Sequence, residues 1–170
     1  MAKIVPPMNF GLVEDGFYRS AQPSELNFSF LEKLNLKTII WVGAEEPSEI
    51  LLSFLDSQGI KLHNLAPQVS ILFPIDHLPP LPPPPEPLII QSLTLLLRPS
   101  TFPTLVCCNM GRHRTGTVVG CYRKLQRWAL SSILEEYRRY AGMKVRILNE
   151  QFIELFDTDL VSITAEQALA

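Results

Sequence analysis

The stretch that decides the fold is LVCCNMGRHRTGTVVGCYRK, residues 105–124. A short apolar and β-branched run over residues 104–107 predicts a buried strand that leads into Cys108. A loop of five residues follows, after which Arg114 and Thr115 are predicted to open a helix. The apolar positions of that helix recur at helical spacing: Val118, Cys121, Tyr122, Leu125 and Trp128.

The loop between this strand and this helix has the chemistry of an anion site. Its backbone N–H groups and the positive end of the helix dipole point at one place, where a phosphate oxyanion binds well. The same field stabilises a thiolate, so Cys108 is the predicted nucleophile. The planar fork of Arg114 can bind two phosphate oxygens at once, which a lysine could not do. The predicted phosphate-binding residues are Asn109, Met110, Gly111, Arg112, His113 and Arg114.

Two further residues of this segment have predicted roles. Gly111 lets the backbone turn tightly around the anion, and Thr115 is placed to hydrogen-bond the Cys108 sulfur and ease its departure in a second step.

Two other kinds of site fit less well. A nucleotide-binding loop would need a lysine where Thr117 stands, and a sulfur-transfer loop would not need an arginine followed by threonine.

The rest of the chain predicts an α/β fold with a largely parallel sheet. Further strands are predicted over residues 16–19, 37–43 and 61–65. Further helices are predicted over residues 27–34, 47–59, 88–97 and 149–156. A capping box, Ser132 and Glu135, predicts one more helix, which carries Tyr137 and Tyr140 inward and ends near Gly142. Strands that alternate with helices are typical of α/β domains.

A proline-rich segment interrupts this alternation. Residues 79–87 contain seven prolines, which exclude both a helix and a central strand. We interpret residues 66–87 as an exposed loop inserted into a single domain that spans residues 1–170. A tolerated surface insertion is favoured over a ligand for a proline-binding module, because long loops cost little stability.

Composition narrows the class of protein. The formal net charge of −2 gives no sign of a nucleic-acid-binding protein. Every long apolar run is interrupted by charges or prolines, and the first ten residues lack a signal-peptide core, so a cytoplasmic protein is expected. The three cysteines follow neither a disulfide nor a zinc pattern, and neither a metal nor another cofactor is predicted.

The signature over residues 108–116 resembles that of the protein-tyrosine and dual-specificity phosphatases. The whole chain resembles the plant and fungal atypical dual-specificity branch, and more closely the fungal oxidant-induced cell-cycle arrest phosphatases. The segments that carry the resemblance are residues 5–10, 18–23, 35–41, 45–47, 106–123, 136–139 and 151–157. The resemblance implies the compact cysteine-phosphatase fold, a phosphocysteine intermediate, no metal, and a place in the stress response. It also implies phosphotyrosine or inositol pyrophosphates as candidate substrates, and possible assembly with homologous phosphatases.

Two departures from this family pattern concern the surroundings of the nucleophile. Most such phosphatases have histidine before the catalytic cysteine, where this chain has Cys107. Strand alternation points Cys107 away from the site, which favours a packed core residue over a resolving thiol. In addition, residues 66–73 carry no charge, where the atypical branch often has a lysine-bearing, glycine-rich loop.

The general acid has two candidates. Protonation of the leaving oxygen needs an acid. The only carboxylate side chains between His63 and Cys107 are those of Asp76 and Glu86. Asp76 lies in a segment that looks like a mobile acid loop, and we favour it slightly. Glu86 precedes the helix before the catalytic strand, where related phosphatases often carry aspartate; the alternative is a charge favoured by the helix dipole.

A local cluster of basic residues suggests a highly anionic substrate in an otherwise acidic chain. Its members are Arg112, His113, Arg114, Lys124, Arg138, Arg139, Lys144 and Arg146, some of which simply face solvent. The sequence thus predicts a cysteine-dependent phosphatase that acts on a phosphorylated small molecule or a phosphoprotein. The alternative is a catalytically weak relative that binds phosphorylated ligands.

Overall fold

The fold is organised by a five-stranded sheet. A computed structural model describes residues 4–66 and 82–161 of the chain. The strands, given in chain order, are β1 (Gly11–Glu14), β2 (Phe17–Ala21), β3 (Thr38–Trp41), β4 (Lys61–Asn64) and β5 (Thr104–Cys108). Their order across the sheet is β1-β2-β5-β3-β4, with β1 antiparallel to β2 and the other pairs parallel. The strand that ends at Cys108 is therefore central, with a parallel neighbour on each side.

Six helices of the described chain cover the sheet. They are α1 (Phe28–Leu31), α2 (Glu49–Gln58), α3 (Glu86–Leu96), α4 (His113–Leu125), α5 (Leu130–Ala141) and α6 (Ile147–Leu155). Short 3-10 turns flank α1 on both sides and precede β5 and α6. The predicted mostly parallel α/β fold is confirmed.

Alternation along β5 divides the core between the two faces of the sheet. Val106 and Cys108 belong to the cluster under α3, α4, α5 and α6, whereas Leu105 and Cys107 belong to the cluster under α1 and α2. All four residues are at most 6% exposed, so both faces of the central strand are buried, as parallel sheets require. The helices thus form a layer on each side of the sheet.

Helix α4 lies close to its neighbours because two positions on it lack side chains. A Cβ at Gly116 would come within 2.9 Å of the Tyr137 ring, and a Cβ at Gly120 would come within 2.6 Å of Ile153 Cδ1. Real Cβ atoms do not approach neighbours this closely without a shift of one partner. Helices α5 and α6 therefore pack directly against the backbone of α4.

Several predicted boundaries move in the structure. Helix α2 begins at Glu49, because Ser48 caps it by accepting a hydrogen bond from the Leu51 N–H; the predicted start at Pro47 is wrong. The capping box of Ser132 is also wrong, since α5 begins at Leu130 and the Ser132 N–H already bonds the Ala129 carbonyl.

One strand was missed by the sequence analysis, and one helix was predicted to extend too far. Strand β1 was not predicted, because it is a four-residue edge strand in which only Val13 is buried. Trp128 lies beyond the end of α4 and is 45% exposed, with the Arg123 guanidinium 4.0 Å above its ring. The prediction that Trp128 lies on the same helix as Leu125 is therefore wrong.

The proline-rich segment is described only at its end. Most of it, with Asp76, Pro79 and Pro80, lies outside the described residues. Within residues 82–87, Pro84 is buried and Pro85 is the N-cap of α3. None of the described helices has the length and apolar content needed to cross a membrane.

Candidate active site

The candidate nucleophile lies at the carboxyl end of the central strand. β5 ends at Cys108 and α4 begins at His113, one residue before the predicted start, so the loop between them is residues 109–112. Cys108 is 6% exposed, which leaves its sulfur at the edge of the core. The chain therefore presents a thiol directly beneath the N-terminus of a thirteen-residue helix.

The carbonyl groups of the loop are held by donors outside it. Asn9 Nδ2 donates to the Met110 carbonyl at 2.8 Å, and Arg19 Nη2 donates to the Gly111 carbonyl at 3.0 Å. The Gln22 N–H donates more weakly to the Asn109 carbonyl at 3.4 Å. Because a trans peptide points its N–H opposite to its C=O, the three following N–H groups turn toward the inside of the loop. Within the described chain, no N–H of residues 109–112 donates a hydrogen bond, so these donors are available to an anion.

Gly111 is required by the path of the loop. Its φ of +64° lies in the left-handed region, and a Cβ there would lie 2.4 Å from backbone atoms of Ser20 and Ala21. A side chain at this position would push the loop off the end of β2. The predicted tight turn at Gly111 is confirmed.

Arg114 extends across the sheet toward the end of β3. Its Nη1 donates to the carbonyl oxygens of Gly43 at 3.1 Å and Val42 at 3.4 Å. Desolvation lowers the pKa of the Arg114 guanidinium, the negative charge of Cys108 raises it, and the charge of Arg146 lowers it. The guanidinium is therefore held at the end of β3 and interacts electrostatically with Cys108.

Thr115 lies in the site without the hydrogen bond that was predicted for it. The residue is fully buried, and its Oγ1 has no hydrogen-bond partner among the described residues. The structure therefore does not contain the expected bond to the Cys108 sulfur, and the Thr115 hydroxyl is buried without a partner among the described residues.

His113 is held in its neutral form. Its Nδ1 lies 3.2 Å from the Tyr137 hydroxyl. Burial, followed by the charges of Arg146 and Arg112, lowers the pKa of His113 to about 4. At neutral pH this imidazole therefore adds no positive charge to the loop.

A cavity of about 500 Å³ opens beside the loop. It is lined by Met110, Arg112, His113, Met143, Lys144, Val145 and Arg146. The lining comes from two places: the loop after β5 with the first residue of α4, and residues 143–146 between α5 and α6. Three of the side chains are permanently cationic, and none of the lining side chains is a carboxylate.

The two candidate acids are placed unequally. Asp76 lies outside the described residues. Glu86 is exposed in the first turn of α3, next to its N-cap Pro85, and makes no hydrogen bond or ion pair with any described residue. The position of Glu86 suits a charge favoured by the helix dipole, and the assignment of the acid stays a prediction.

Arg19 and Asn9 contribute to the site but were not predicted as site residues. Arg19 is a charged residue that is 1% exposed in the middle of β2. Asn9 has a positive φ of 53° before β1. An arginine inside a strand that is otherwise buried was the signal available for Arg19; nothing local distinguished Asn9.

Cys107 is a core residue, as strand alternation predicted. It is 0% exposed, and burial raises the pKa of its thiol well above the usual value. Cys121 is equally buried on α4. No group of three or more His, Cys, Asp or Glu side chains within the described ranges could hold a metal ion.

A thiol at the end of a parallel strand, a loop of free N–H groups and an arginine fork together define the class of cysteine-dependent phosphatases. The chain belongs to the tyrosine phosphatase family, whose family model matches residues 4–170. The chain is 57% identical over 159 residues to "Putative tyrosine-protein phosphatase OCA1" of Mycosarcoma maydis, covering 93% of this chain and 96% of the relative. It is 54% identical over 162 residues to "Probable tyrosine-protein phosphatase DG1060" of Dictyostelium discoideum, covering 95% and 93% of the two chains.

A solved structure is similar over nearly the whole chain. The catalytic domain of the PP-IP phosphatase SIW14 from S. cerevisiae superposes with a TM-score of 0.83 at 40% identity, covering 98% of this chain and 96% of that chain. The predicted family and the predicted phosphatase activity are confirmed by these matches.

Proposed function

We propose that this phosphatase acts on densely phosphorylated soluble substrates, and that diphosphoinositol polyphosphates are preferred over phosphotyrosine. The observation that carries the proposal is the cavity beside the catalytic loop, whose charged lining is entirely cationic. A phosphotyrosine side chain brings one phosphate and an apolar ring. A diphosphoinositol polyphosphate brings many phosphates, each of which gains from a nearby cation.

The charges around the cavity are not neutralised by the protein. Within residues 4–66 and 82–161, the ion pairs are Arg123 with Glu136 and Arg138 with Glu150. Arg112, Lys144 and Arg146 therefore form none there. Burial is the largest cause of the lowered pKa values of His113 and Arg114, and the positive charge of Arg146 lowers both further. A polyanion bound in the cavity would relieve the repulsion between these charges.

The proposed reaction proceeds through a phosphocysteine. The Cys108 thiolate forms a bond to phosphorus while the bond from phosphorus to the leaving oxygen breaks, and Arg114 and the loop N–H groups bind the equatorial oxygens. Water then attacks the phosphorus, phosphate leaves, and the thiolate is regenerated. Rotation of the unpaired Thr115 hydroxyl would let it donate to the departing sulfur in this second step.

The chemistry of the leaving group also supports a pyrophosphate. An aryl or alkyl oxygen needs a proton from Asp76 or Glu86, whereas the phosphate that leaves a pyrophosphate needs little protonation. Glu86 is exposed and without a partner in the described chain, which suits a reaction with a small demand for acid. The structural similarity to a PP-IP phosphatase points to the same substrate class.

The experiment compares phosphate release from a diphosphoinositol pentakisphosphate and from a phosphotyrosine peptide at equal concentration. We expect faster release from the former. Replacing Lys144 and Arg146 together by alanine should lower kcat/KM for the inositol substrate by about a hundredfold and for the peptide by about tenfold or less. Arg98→Ala is the matched control, since it removes an exposed charge near the start of β5, at the far end of the sheet from Cys108.

A second experiment tests the role of the acids. The double variant Asp76→Asn, Glu86→Gln should slow hydrolysis of an aryl phosphate much more than hydrolysis of the pyrophosphate. Equal slowing would contradict the leaving-group argument. Equal or better turnover of the peptide by the unmodified enzyme would indicate a protein phosphatase, and inactivity on both substrates would favour the phosphate-binding alternative.

Location and assembly belong to the same proposal. Inositol polyphosphates dissolve in the cytoplasm, which is the location expected from the sequence. The family resemblance also implies assembly with homologous phosphatases. Co-expression of this chain with one such homologue, followed by measurement of the mass of the purified complex, tests that expectation.

A further inference from the structure

Arg19 is a buried charge whose position the phosphatase chemistry described so far does not explain. The residue lies in the middle of β2 and is 1% exposed. β2 pairs in parallel with β5, so that Arg19 is level with Val106 and Ala21 is level with Cys108. Phe17, two residues before Arg19 on the same strand, packs in the cluster that contains Val106 and Cys108. Arg19 therefore lies on the same face of the sheet as the nucleophile.

The guanidinium of Arg19 touches the catalytic loop. Its Nη2 donates to the Gly111 carbonyl at 3.0 Å, across 92 residues of sequence. This carbonyl belongs to the peptide whose N–H is that of Arg112, so the bond fixes the direction in which that N–H points. The loop's fit against β2 depends on the same place, because Gly111 lies against the backbone of Ser20 and Ala21.

The rest of the Arg19 guanidinium is held without a neutralising partner. Its Nε and Nη1 are buried and have no hydrogen-bond partner among the described residues. The Tyr140 ring lies beneath it, 3.6 Å from the guanidinium carbon, in a cation–π contact. Gly11 makes room for this ring, since a Cβ there would lie 2.0 Å from the Tyr140 hydroxyl oxygen. A charge that is expensive to bury is thus kept in place by several neighbours at once.

The charge of Arg19 persists at neutral pH and reaches Cys108. Burial lowers the pKa of Arg19 to about 10, while Tyr140, Glu136 and Cys108 raise it and Arg123 lowers it. Cys108 therefore interacts electrostatically with two guanidinium groups, Arg19 on β2 and Arg114 at the end of β3. The adjacent Cys107 lies on the opposite face of the sheet and adds no charge.

We infer that Arg19 is a positioning residue of the reaction: it holds the peptide after Gly111 so that its N–H faces the phosphate, and its fixed positive charge stabilises the Cys108 thiolate from behind. Arg19 does not touch the substrate. Its effect is carried by the loop and by the electric field at the sulfur, and it is the same for any substrate of the enzyme.

The test measures Cys108 directly, without a substrate. The rate of alkylation of Cys108 by iodoacetamide, followed by mass spectrometry of the modified peptide between pH 5 and pH 9, reports how much thiolate is present. In Arg19→Met we expect alkylation near the acid end of this range to slow about tenfold. Inhibition by vanadate should weaken about tenfold, because one N–H of the cradle loses its fixed direction. Arg19→Lys keeps the charge and should restore most of the alkylation rate but not the vanadate inhibition.

The chain contains a matched control for the loss of a buried arginine. Arg123 is 6% exposed, donates its Nη2 to the Val13 carbonyl at 2.8 Å, and stacks on Trp128, but it does not touch the loop. Arg123→Met should lower the melting temperature and leave both the alkylation profile and vanadate inhibition unchanged. If Arg19→Met likewise lowers only the melting temperature, Arg19 is a structural residue and the inference is wrong.

A milder variant keeps the test decisive if Arg19→Met does not fold. Tyr140→Leu removes the ring beneath the guanidinium and leaves Arg19 in the chain. We expect a change in the same direction, with alkylation near the acid end slowed about threefold. A wild-type alkylation profile in Tyr140→Leu, together with wild-type vanadate inhibition in Arg19→Lys, would overturn the inference. Since no readout uses an inositol phosphate, failure here is distinguishable from failure of the proposed substrate.

Discussion

Two adjacent cysteines in this protein have opposite surroundings. Cys107 faces the cluster formed with Trp41 and Leu105, where burial raises the pKa of its thiol well above the usual value. Cys108 faces the other side of the sheet, at the edge of a loop of free N–H groups and within electrostatic reach of Arg19 and Arg114. The two thiols differ by one position on one strand. The face of the strand, and not the residue type, therefore sets the surroundings of each cysteine.

The largest loss of activity is expected from substitution of Cys108, the proposed nucleophile of the two cysteines. Cys108→Ser should lower kcat by at least about a thousandfold, because a serine hydroxyl is not ionised near neutral pH. The variant should still bind phosphate or vanadate, because the N–H cradle does not depend on the sulfur. Cys107→Ala is the matched change on the other face, and it should keep turnover while losing about 1 kcal/mol of unfolding free energy. Wild-type turnover by Cys108→Ser would refute the mechanism.

Arg114→Lys should lower kcat about a hundredfold although it conserves the charge. A lysine cannot present two parallel N–H groups to the equatorial oxygens of the phosphoryl group. Steady-state kinetics with an aryl phosphate provides the measurement. A variant with more than half of the wild-type kcat would show that the charge alone suffices.

Gly111→Ala should lower kcat/KM about tenfold or more and destabilise the fold by more than the roughly 1–2 kcal/mol that a left-handed alanine costs by itself. The added Cβ would lie 2.4 Å from the backbone of β2, so the loop must shift away from Arg19. Gly59→Ala is the matched control, since Gly59 has the same φ of +64° and a Cβ added there would meet nothing within 4 Å. That control should lose stability without losing activity, and equal kinetic losses in both variants would contradict the explanation.

The neutral state of His113 predicts a pH dependence of stability. Its folded pKa of about 4 lies below the ordinary value of 6.5. Between those values the unfolded chain binds a proton that the folded chain does not, so stability is fully present above the unfolded pKa and falls as the pH drops toward the folded pKa. The wild-type protein should therefore lose unfolding free energy between pH 7 and pH 5. In His113→Gln this loss should be smaller by about 1 kcal/mol, after allowance for the partial exposure of the side chain. Urea unfolding at pH 7 and at pH 5 measures the difference, and an unchanged difference in the variant would assign the pH dependence to other groups.

The smallest expected effect concerns Cys107 under oxidation. Peroxide should inactivate the enzyme by oxidising the Cys108 thiolate to a sulfenic acid, and a thiol reductant should restore activity. Because Cys107 lies on the opposite face of the sheet, Cys107→Ala should recover to the same extent as the unmodified enzyme. Incomplete recovery confined to Cys107→Ala would give that residue a resolving role.

The sequence predicted the parts of the site that are set by local chain geometry. Cys108, Gly111 and Arg114 lie on one strand, one loop and one helix, and their spacing alone brings them together. Arg19 and Asn9 could not be predicted in this way, because they reach the loop across 92 and 101 residues of sequence. Contacts of that kind depend on the order of strands in the sheet.

The errors in the fold have local causes. Ser132 has the residue pattern of a cap, but the preceding backbone had already entered the helix at Leu130. β1 was missed because four residues with one buried side chain give too short an alternating pattern. The bond of Thr115 to sulfur is not formed in this structure, since the direction of a hydroxyl is not fixed by its place on a helix.

The two glycines on the inner face of α4 make the site depend on the last third of the chain. Gly116 and Gly120 let the Tyr137 ring and Ile153 lie against the backbone of α4, the helix whose first turn is proposed to bind the phosphate. A fragment that stopped after the signature helix would contain every reacting residue, yet it would expose a bare glycine surface to water and lose the partners that hold the helix in place. The shortest segment of the chain that can fold and act is consequently much longer than the signature. It must include α5 and α6, because these helices hold α4 in place.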